Sequence, residues 1–268
     1  MNYAKIDCST ESREFISEVI SEAASIVGEG IIGVYLHGSL AMGGFNPTGS
    51  DIDLIIVTVQ PLPLEMKREL AELFLTYSNR PFPIEINFLN NAYLRDWQHP
   101  APYDFHFSEF WRERYEKELG KGTSIYLNDE IKTDIDLAAH LTILNKRGIC
   151  LNGKPIHETF PPIPKYDYVS SILADYEECL EKIHADPVYC ILNLIRVYWY
   201  LKEGEISSKK EAGEWGALNL PLEFQPIVQK AAEAYGNKRS GVFFAATDLI
   251  RLRDYLKRNV EELLNHVE

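Results

Sequence analysis

Cysteine is scarce in this chain. The four present, Cys8, Cys150, Cys179 and Cys190, form no Cys-x-x-Cys pair and have no histidine nearby at metal spacing. That excludes a cysteine-held metal centre and a disulfide framework, and it leaves reduced, mostly buried thiols. No apolar run approaches the length needed to span a membrane. The opening residues carry no apolar signal segment, so the cytoplasm is the expected compartment and no membrane partner is expected. Positive charge is short as well. Against 40 Asp and Glu stand 27 Lys and Arg, leaving a net charge of −13. A generic nucleic-acid binder needs clustered cations to neutralise phosphates, so no nucleic-acid partner is expected. The acidic field suits a cationic small substrate, and it serves solubility equally well. There is no internal repeat and no low-complexity segment.

What remains is an ordinary globular composition, 46% hydrophobic and 12% aromatic over 268 residues. That is enough for one large domain or two modest ones. The most informative stretch is His37-Gly38-Ser39 followed by Ser50-Asp51-Ile52-Asp53-Leu54. An apolar run of strand formers, Ile31 to Leu36, leads into it, and a second, Ile52 to Val59, leads out. On a strand, side chains alternate faces, so Asp51 and Asp53 share one side while Ile52 and Leu54 face the core. Two such carboxylates repel unless a cation lies between them. A hard, oxygen-seeking ion such as Mg2+ suits the pair and normally arrives with a nucleotide's phosphates. Gly38 lets backbone approach a phosphate, and Ser39 offers a hydroxyl and an N–H. A bare Gly-Ser turn before an Asp-rich strand is the plainer reading. The ordered combination resembles the signature of the nucleotidyltransferase superfamily.

A helix is expected from Thr10 to Val27, stopped by Gly28, and another from Leu64 to Tyr77. The segment Pro83 to Leu89 alternates, with Ile84, Ile86 and Phe88 on one face and Glu85 and Asn87 on the other. A charge in so apolar a strand is costly unless it meets water or a cation. Glu85 is therefore a candidate third carboxylate beside Asp51 and Asp53, the alternative being a solvated edge residue. Residues 97–115 are dense in aromatics, and Tyr103, Phe105 and Phe107 alternate as on a strand. Core packing is the usual use of such residues. His99 and His106, at no metal spacing, read as ordinary loop or surface histidines. The second Asp-Ile-Asp-Leu, Asp134 to Leu137, reads as a helix N-terminus capped by Thr133 rather than as a second metal motif. Ile149 to Leu151 suggests a last short strand. The prolines at 155, 161, 162 and 164 mark the best boundary. Beyond it, helical spacing covers Tyr166–Ile183, Val188–Lys202, Leu222–Ala234 and Ser240–Val267. The expected fold is an α/β (α+β) nucleotidyltransferase domain with a mixed sheet over residues 1–157, then an all-α helical-bundle domain over 158–268.

Gly38-Ser39, Asp51/Asp53, Glu85, the block Phe107 to Arg112, Thr133 to Leu137 and the tail segments Glu211 to Trp215 and Glu223 to Tyr235 occur in this order over nearly the whole chain. Together they resemble the streptomycin/spectinomycin adenylyltransferases, a group of aminoglycoside nucleotidyltransferases. The resemblance implies transfer of AMP from ATP to a drug hydroxyl with release of pyrophosphate, the substrates binding between two domains. It implies that Asp51 and Asp53, joined by Glu85, hold Mg2+, two ions in all, and that Glu85 is the catalytic base. It further implies that Gly38, Ser39, Ser50, Arg196, Lys209 and Tyr235 contact the nucleotide, and that Phe110 and Asp186, with Glu85, contact the acceptor. A monomer is expected. The chain departs from the group in three places. Gly49 lengthens the loop before Ser50. Phe110 stands where streptomycin-accepting members have Trp, and Lys182 stands where they have an acidic residue. A lysine cannot pair with a cationic guanidino sugar as a carboxylate does, which favours spectinomycin over streptomycin. Transfer to streptomycin as well, transfer to another small-molecule or protein acceptor, and a nucleotide sensor without catalysis are the alternatives.

Overall fold

The computed structural model describes residues 6, 8–47, 49–128, 132–237 and 242–265. The chain forms two compact units, residues 1–168 and 169–268.

In the first unit, α1 (Thr10–Val27) starts at Ser9, whose side chain accepts from the Ser12 N–H. It stops at Gly28, whose φ of 71° lies in the left-handed region that favours glycine. Its periodic apolar residues Phe15, Ile16, Val19, Ile20 and Ala23 are buried. Strand β1 (Ile31–Leu36) leads to the short helix α2 (Gly38–Ala41), then β2 (Ile52–Thr58), α3 (Leu64–Tyr77) and β3 (Ile84–Asn90). Next come α4 (Asn91–Arg95), β4 (Ala101–Tyr103), β5 (Phe105–Phe107), α5 (Arg112–Lys121), α6 (Ile125–Asn128) and β6 (Lys132–Asp134). The unit ends with α7 (Leu137–Arg147), β7 (Ile149–Gly153) and α8 (Ile156–Thr159), and α9 (Lys165–Lys182) begins within it.

Five strands form one sheet in the order β5-β3-β2-β1-β7. Only β2 and β3 run parallel; the other neighbours are antiparallel. The sheet is therefore mixed, as the sequence predicts. One face is covered by α1 and α3 through Ile16, Ile20, Leu70, Phe74, Ile52, Leu54 and Ile86. The other is covered by α7 through Leu137, Leu141 and Leu144, packed with Tyr35, Ile55 and Val57. Strands buried on both faces explain the near-continuous apolar runs.

Three expectations for this unit need correction. Thr133 does not begin a helix: it lies in β6, where Pro102 and Thr133 are register partners, and α7 starts at Leu137. Asp134 instead accepts from the Asp136 N–H at 2.8 Å, a local turn that the Asp side chain offers the backbone in competition with helix. His106 is not a surface residue but is buried in β5, its Nδ1 donating to Asn87 Oδ1 at 2.8 Å. Asn87, on the supposedly polar face of β3, is buried with it.

The second unit contains the rest of α9 with α10 (Pro187–Glu203), α11 (Lys209–Asn219), α12 (Gln225–Asn237) and α13 (Ala246–Asn265). Helix α10 is its centre, with Ile191, Leu192, Leu194, Ile195 and Val197 buried. The sequence reading omits α11, whose Gly213 and Gly216 break the apolar period. Each glycine sits where a Cβ would come within about 3 Å of a neighbour, Ala232 at 2.8 Å for Gly213 and Ile195 at 3.0 Å for Gly216. These glycines serve close helix packing, so the helix carries little amphipathic signal. Its start is fixed by Ser208, whose side chain and that of Glu211 cap each other's backbone. The expected helix start at Ser240 and end at Val267 lie outside the described residues, and α13 begins at Ala246. Among the described residues, no helix is long and apolar enough to cross a membrane. All four cysteines are free thiols, Cys179 and Cys190 buried, Cys8 and Cys150 half-buried.

Candidate active site

The end of β1 and the start of β2 are tied together by the His37 N–H, which donates to the Asp53 carbonyl at 3.0 Å. This places Gly38 directly against the Asp53 side chain. A Cβ on Gly38 would lie 1.7 Å from Asp53 Oδ2, and its φ is +64°. Both facts demand glycine there. Ser39 follows, its Oγ buried and without a hydrogen-bond partner among the described residues. The loop from Leu40 to Ser50 is closed by its own bonds: the Ser50 N–H donates to the Asn46 carbonyl at 2.8 Å and the Asn46 N–H to Ser50 Oγ at 3.1 Å. Ser50 is buried.

Because β2 and β3 are parallel neighbours, register decides which residues meet, and Asp53 pairs with Glu85. Ile52 pairs with Ile84 and Leu54 with Ile86, all buried. Asp53 and Glu85 are half-buried on the opposite face. Burial raises the Glu85 carboxyl pKa above its ordinary value; His140 opposes the rise, and the charges of Asp51, Asp134 and Asp136 add to it. Asp51 thus belongs to the same electrostatic cluster. Among the described residues, no three His, Cys, Asp or Glu side chains are gathered closely enough to hold a metal ion by themselves. Like-charged carboxylates spread apart, and Mg2+ completes its shell with waters and substrate phosphates rather than an all-protein cage. The oxygen-only carboxylate set, the glycine cradle and the orphaned Ser39 hydroxyl fit a metal–nucleotide.

Two histidines join this cluster, and the sequence reading gave neither a role. His140, on α7, places Nε2 3.8 Å from Glu85 Oε1. Burial lowers its pKa, but Glu85, then Asp134, Asp136 and Asp53, outweigh burial and hold it above the ordinary value. His37 lies beside it, the rings tilted by 40° with centroids 4.9 Å apart. Burial, then the His140 charge, drives the His37 pKa well below the usual range. Asp134 and Asp136, read from sequence only as helix-start residues, contribute to the field on Glu85.

The block Phe107 to Arg112 anchors the strand that carries Glu85. Arg112 grips Glu109 with two bonds, Nε to Oε2 at 2.8 Å and Nη2 to Oε1 at 2.9 Å. It also donates to the Leu75 and Ser78 carbonyls, both at 3.1 Å. Ser78 Oγ bonds Glu109 and accepts from the Ile84 N–H at 2.9 Å, one residue before Glu85. Phe110 is 83% exposed and meets Trp111 edge to face at 4.9 Å. The two aromatics line a cleft of about 460 Å³ with Arg114 and Lys117 among its other walls.

In the second unit, Asp186 caps α10, accepting from the Tyr189 N–H at 3.2 Å. Arg196 lies nine residues beyond Pro187, the first residue of α10, with Nε donating to the Ser207 carbonyl at 2.9 Å. Lys209 opens α11, its Nζ 4.2 Å from the centre of the Tyr189 ring. Tyr235 is half-buried on α12. Lys182, exposed at the end of α9, pairs with Glu178.

A strand–Gly-Ser–strand unit that sets a carboxylate against the glycine, with a third carboxylate in register on the next parallel strand, is the arrangement of a nucleotidyltransferase. Residues 16–125 match the nucleotidyltransferase domain family, and the chain is an enzyme of this class. Residues 158–259 match the aminoglycoside adenylyltransferase C-terminal domain. With both domains, the chain belongs to the aminoglycoside adenylyltransferases of the nucleotidyltransferase superfamily. A spectinomycin 9-adenylyltransferase of Campylobacter jejuni is 29% identical over 255 residues, covering 93% of this chain and 95% of the relative. An aminoglycoside (3'') (9) adenylyltransferase of Shigella flexneri is 25% identical, covering 93% and 97%. The crystal structure of a spectinomycin adenyltransferase from Enterococcus faecialis with ATP and spectinomycin has the same fold, with a TM-score of 0.77 at 22% identity, covering 93% of this chain and 99% of that one.

Proposed function

We propose that this enzyme transfers AMP from ATP to a hydroxyl of spectinomycin. The observation that carries the reading is the β2–β3 register, which sets Glu85 beside Asp53 while Gly38 receives the Asp53 carboxylate. Asp51, Asp53 and Glu85 would hold two Mg2+ ions, which when bound supply charge neutralisation for the triphosphate. Gly38 lets the phosphate chain approach the β1–β2 turn, and Ser39 gives it a buried hydroxyl donor. Ser50 fixes the loop around it. Glu85 takes the proton of the acceptor hydroxyl as its oxygen bonds to the α-phosphorus; the bond from that phosphorus to the β-phosphate oxygen breaks, and pyrophosphate leaves. Arg196, Lys209 and Tyr235 are assigned to the nucleotide, and Phe110 and Asp186, with Glu85, to the acceptor.

Spectinomycin is favoured over streptomycin because Lys182 offers no carboxylate to a guanidino sugar, whereas the net charge of −13 draws in any cationic drug. ATP as donor places the reaction in the cytoplasm, and the enzyme works as a monomer without nucleic acid or membrane. Pyrophosphate release with ATP, Mg2+ and either drug tests the proposal. Spectinomycin should support turnover, and Glu85→Gln should lower kcat by about 10² or more, the scale of a lost general base. Absence of turnover with spectinomycin at high enzyme concentration overturns it.

A further inference from the structure

Asp175, on α9, bonds two side chains of α10 at once. Tyr189 Oη donates to both its oxygens, at 3.0 and 3.2 Å, and Asn193 Nδ2 donates to Oδ2 at 2.6 Å. Tyr189, Asn193 and Arg196 stand four and three residues apart, so they share one helix face. Asn193 is only 3% exposed. Its amide lies between a carboxylate and a guanidinium, for its Oδ1 accepts from Arg196 Nη1 at 3.2 Å. That sandwich fixes which way the amide points, since the reverse orientation would set oxygen against oxygen and N–H against N–H. The guanidinium is thereby held at two of its five donors, Nη1 by Asn193 and Nε by the Ser207 carbonyl. The second arm ends at the Tyr189 ring, which carries the Lys209 ammonium on its face. One carboxylate therefore bonds both side chains that touch these two cations.

We propose that Asp175 is a positioning residue for binding of the nucleotide's phosphates, aiming Arg196 through Asn193 and Lys209 through Tyr189. This rests on the reading that Arg196 and Lys209 contact those phosphates. Without Asp175 the Asn193 amide loses the partner that orients it, and the Tyr189 ring loses its anchor. Both cations then regain rotamer freedom that binding must remove again. The rest of the nucleotide site is untouched.

The test measures binding of α,β-methylene-ATP and of AMP, which lacks the β- and γ-phosphates, to the full chain and its variants, with thermal melting beside each. Asp175→Ala should weaken the triphosphate analogue about tenfold and AMP less than about twofold. Asp175→Asn keeps one acceptor oxygen and should recover most of that loss. Asp175→Ala combined with Arg196→Ala should bind no worse than Arg196→Ala alone, because the two act in one chain of bonds. Equal losses for both ligands, or losses that multiply in the double variant, would overturn the proposal. So would an unchanged Asp175→Ala beside a weakened Arg196→Ala. An unchanged Arg196→Ala would instead overturn the phosphate assignment, and this inference with it.

Discussion

Replacing Gly38 by alanine tests the core of the active-site geometry. The new methyl carbon would sit 1.7 Å from Asp53 Oδ2, 2.4 Å from its Cγ and 2.9 Å from its Cβ. Ordinary contact for such atoms is about 3.5 Å, so the carboxylate must retreat by more than about 1 Å. The Asp53 backbone cannot follow, because β2 is paired on both sides, with β1 and β3. The side chain must therefore rotate. Holding alanine at a φ of +64° adds about 1–2 kcal/mol of backbone strain, which lowers the melting temperature by roughly 2–8 °C in a chain of this size. A reacting-site group displaced by about 1 Å costs about 10² in rate. Gly43→Ala is the matching control: its φ is +74°, but a Cβ there meets nothing within 4 Å. Melting by circular dichroism should show the φ strain alone in Gly43→Ala and a larger loss in Gly38→Ala, because rotation cannot relieve the 2.9 Å approach to Asp53 Cβ, and kcat/KM by pyrophosphate release should fall only in Gly38→Ala. If both variants retain activity within about threefold, the placement of Asp53 against Gly38 does not matter to the chemistry and the reasoning fails.

Arg112→Lys should lower stability by about 2 kcal/mol, because lysine cannot reproduce the two-point grip on Glu109 or reach two carbonyls at once; urea unfolding that matches wild type would refute this. Buried His106 stays neutral, its pKa lowered to about 4, first by burial. Its contribution is fully present above pH 6.5, the unfolded value, and is lost as pH falls towards 4, since only the unfolded chain takes the proton in that window. The loss is of the order of 3 kcal/mol. Urea midpoints measured between pH 7 and 4.5 should fall less steeply for His106→Gln than for wild type, and parallel slopes would remove His106 as a cause.

Helices α1 and α3 were readable to the residue because their apolar positions recur every three or four residues and face a sheet on one side only. Asp53 and Glu85 stood out as candidates because a charge in an apolar strand is conspicuous, and Asp51 because it directly precedes such a strand. The same rule misled at His106 and Asn87, which share a bond between Nδ1 and Oδ1 inside the core, so polarity there signalled a partner rather than water. Apolar periodicity misled at Gly213 and Gly216, where the helix is kept by close contact with neighbours that the local sequence does not name. The largest omission, the pair His37 and His140, has a different cause. More than a hundred residues separate them, and their meeting depends on the β1–β2 link and on how α7 lies over the sheet. One local clue existed: His140 interrupts the buried series Leu137, Ala138, Leu141 and Leu144 of α7. A polar residue beside such a stripe calls for a partner, and the partner is Glu85. With the rings 4.9 Å apart, charging both would place two cations side by side in a buried site. The two rings are pushed in opposite directions: the carboxylates raise the His140 pKa against its burial, whereas burial first, and the His140 charge second, lower that of His37. Periodicity reports which face a residue takes, but it holds no record of the distant residue that shares that face. The candidate carboxylates could therefore be found one strand at a time, whereas the histidines beside them required the fold.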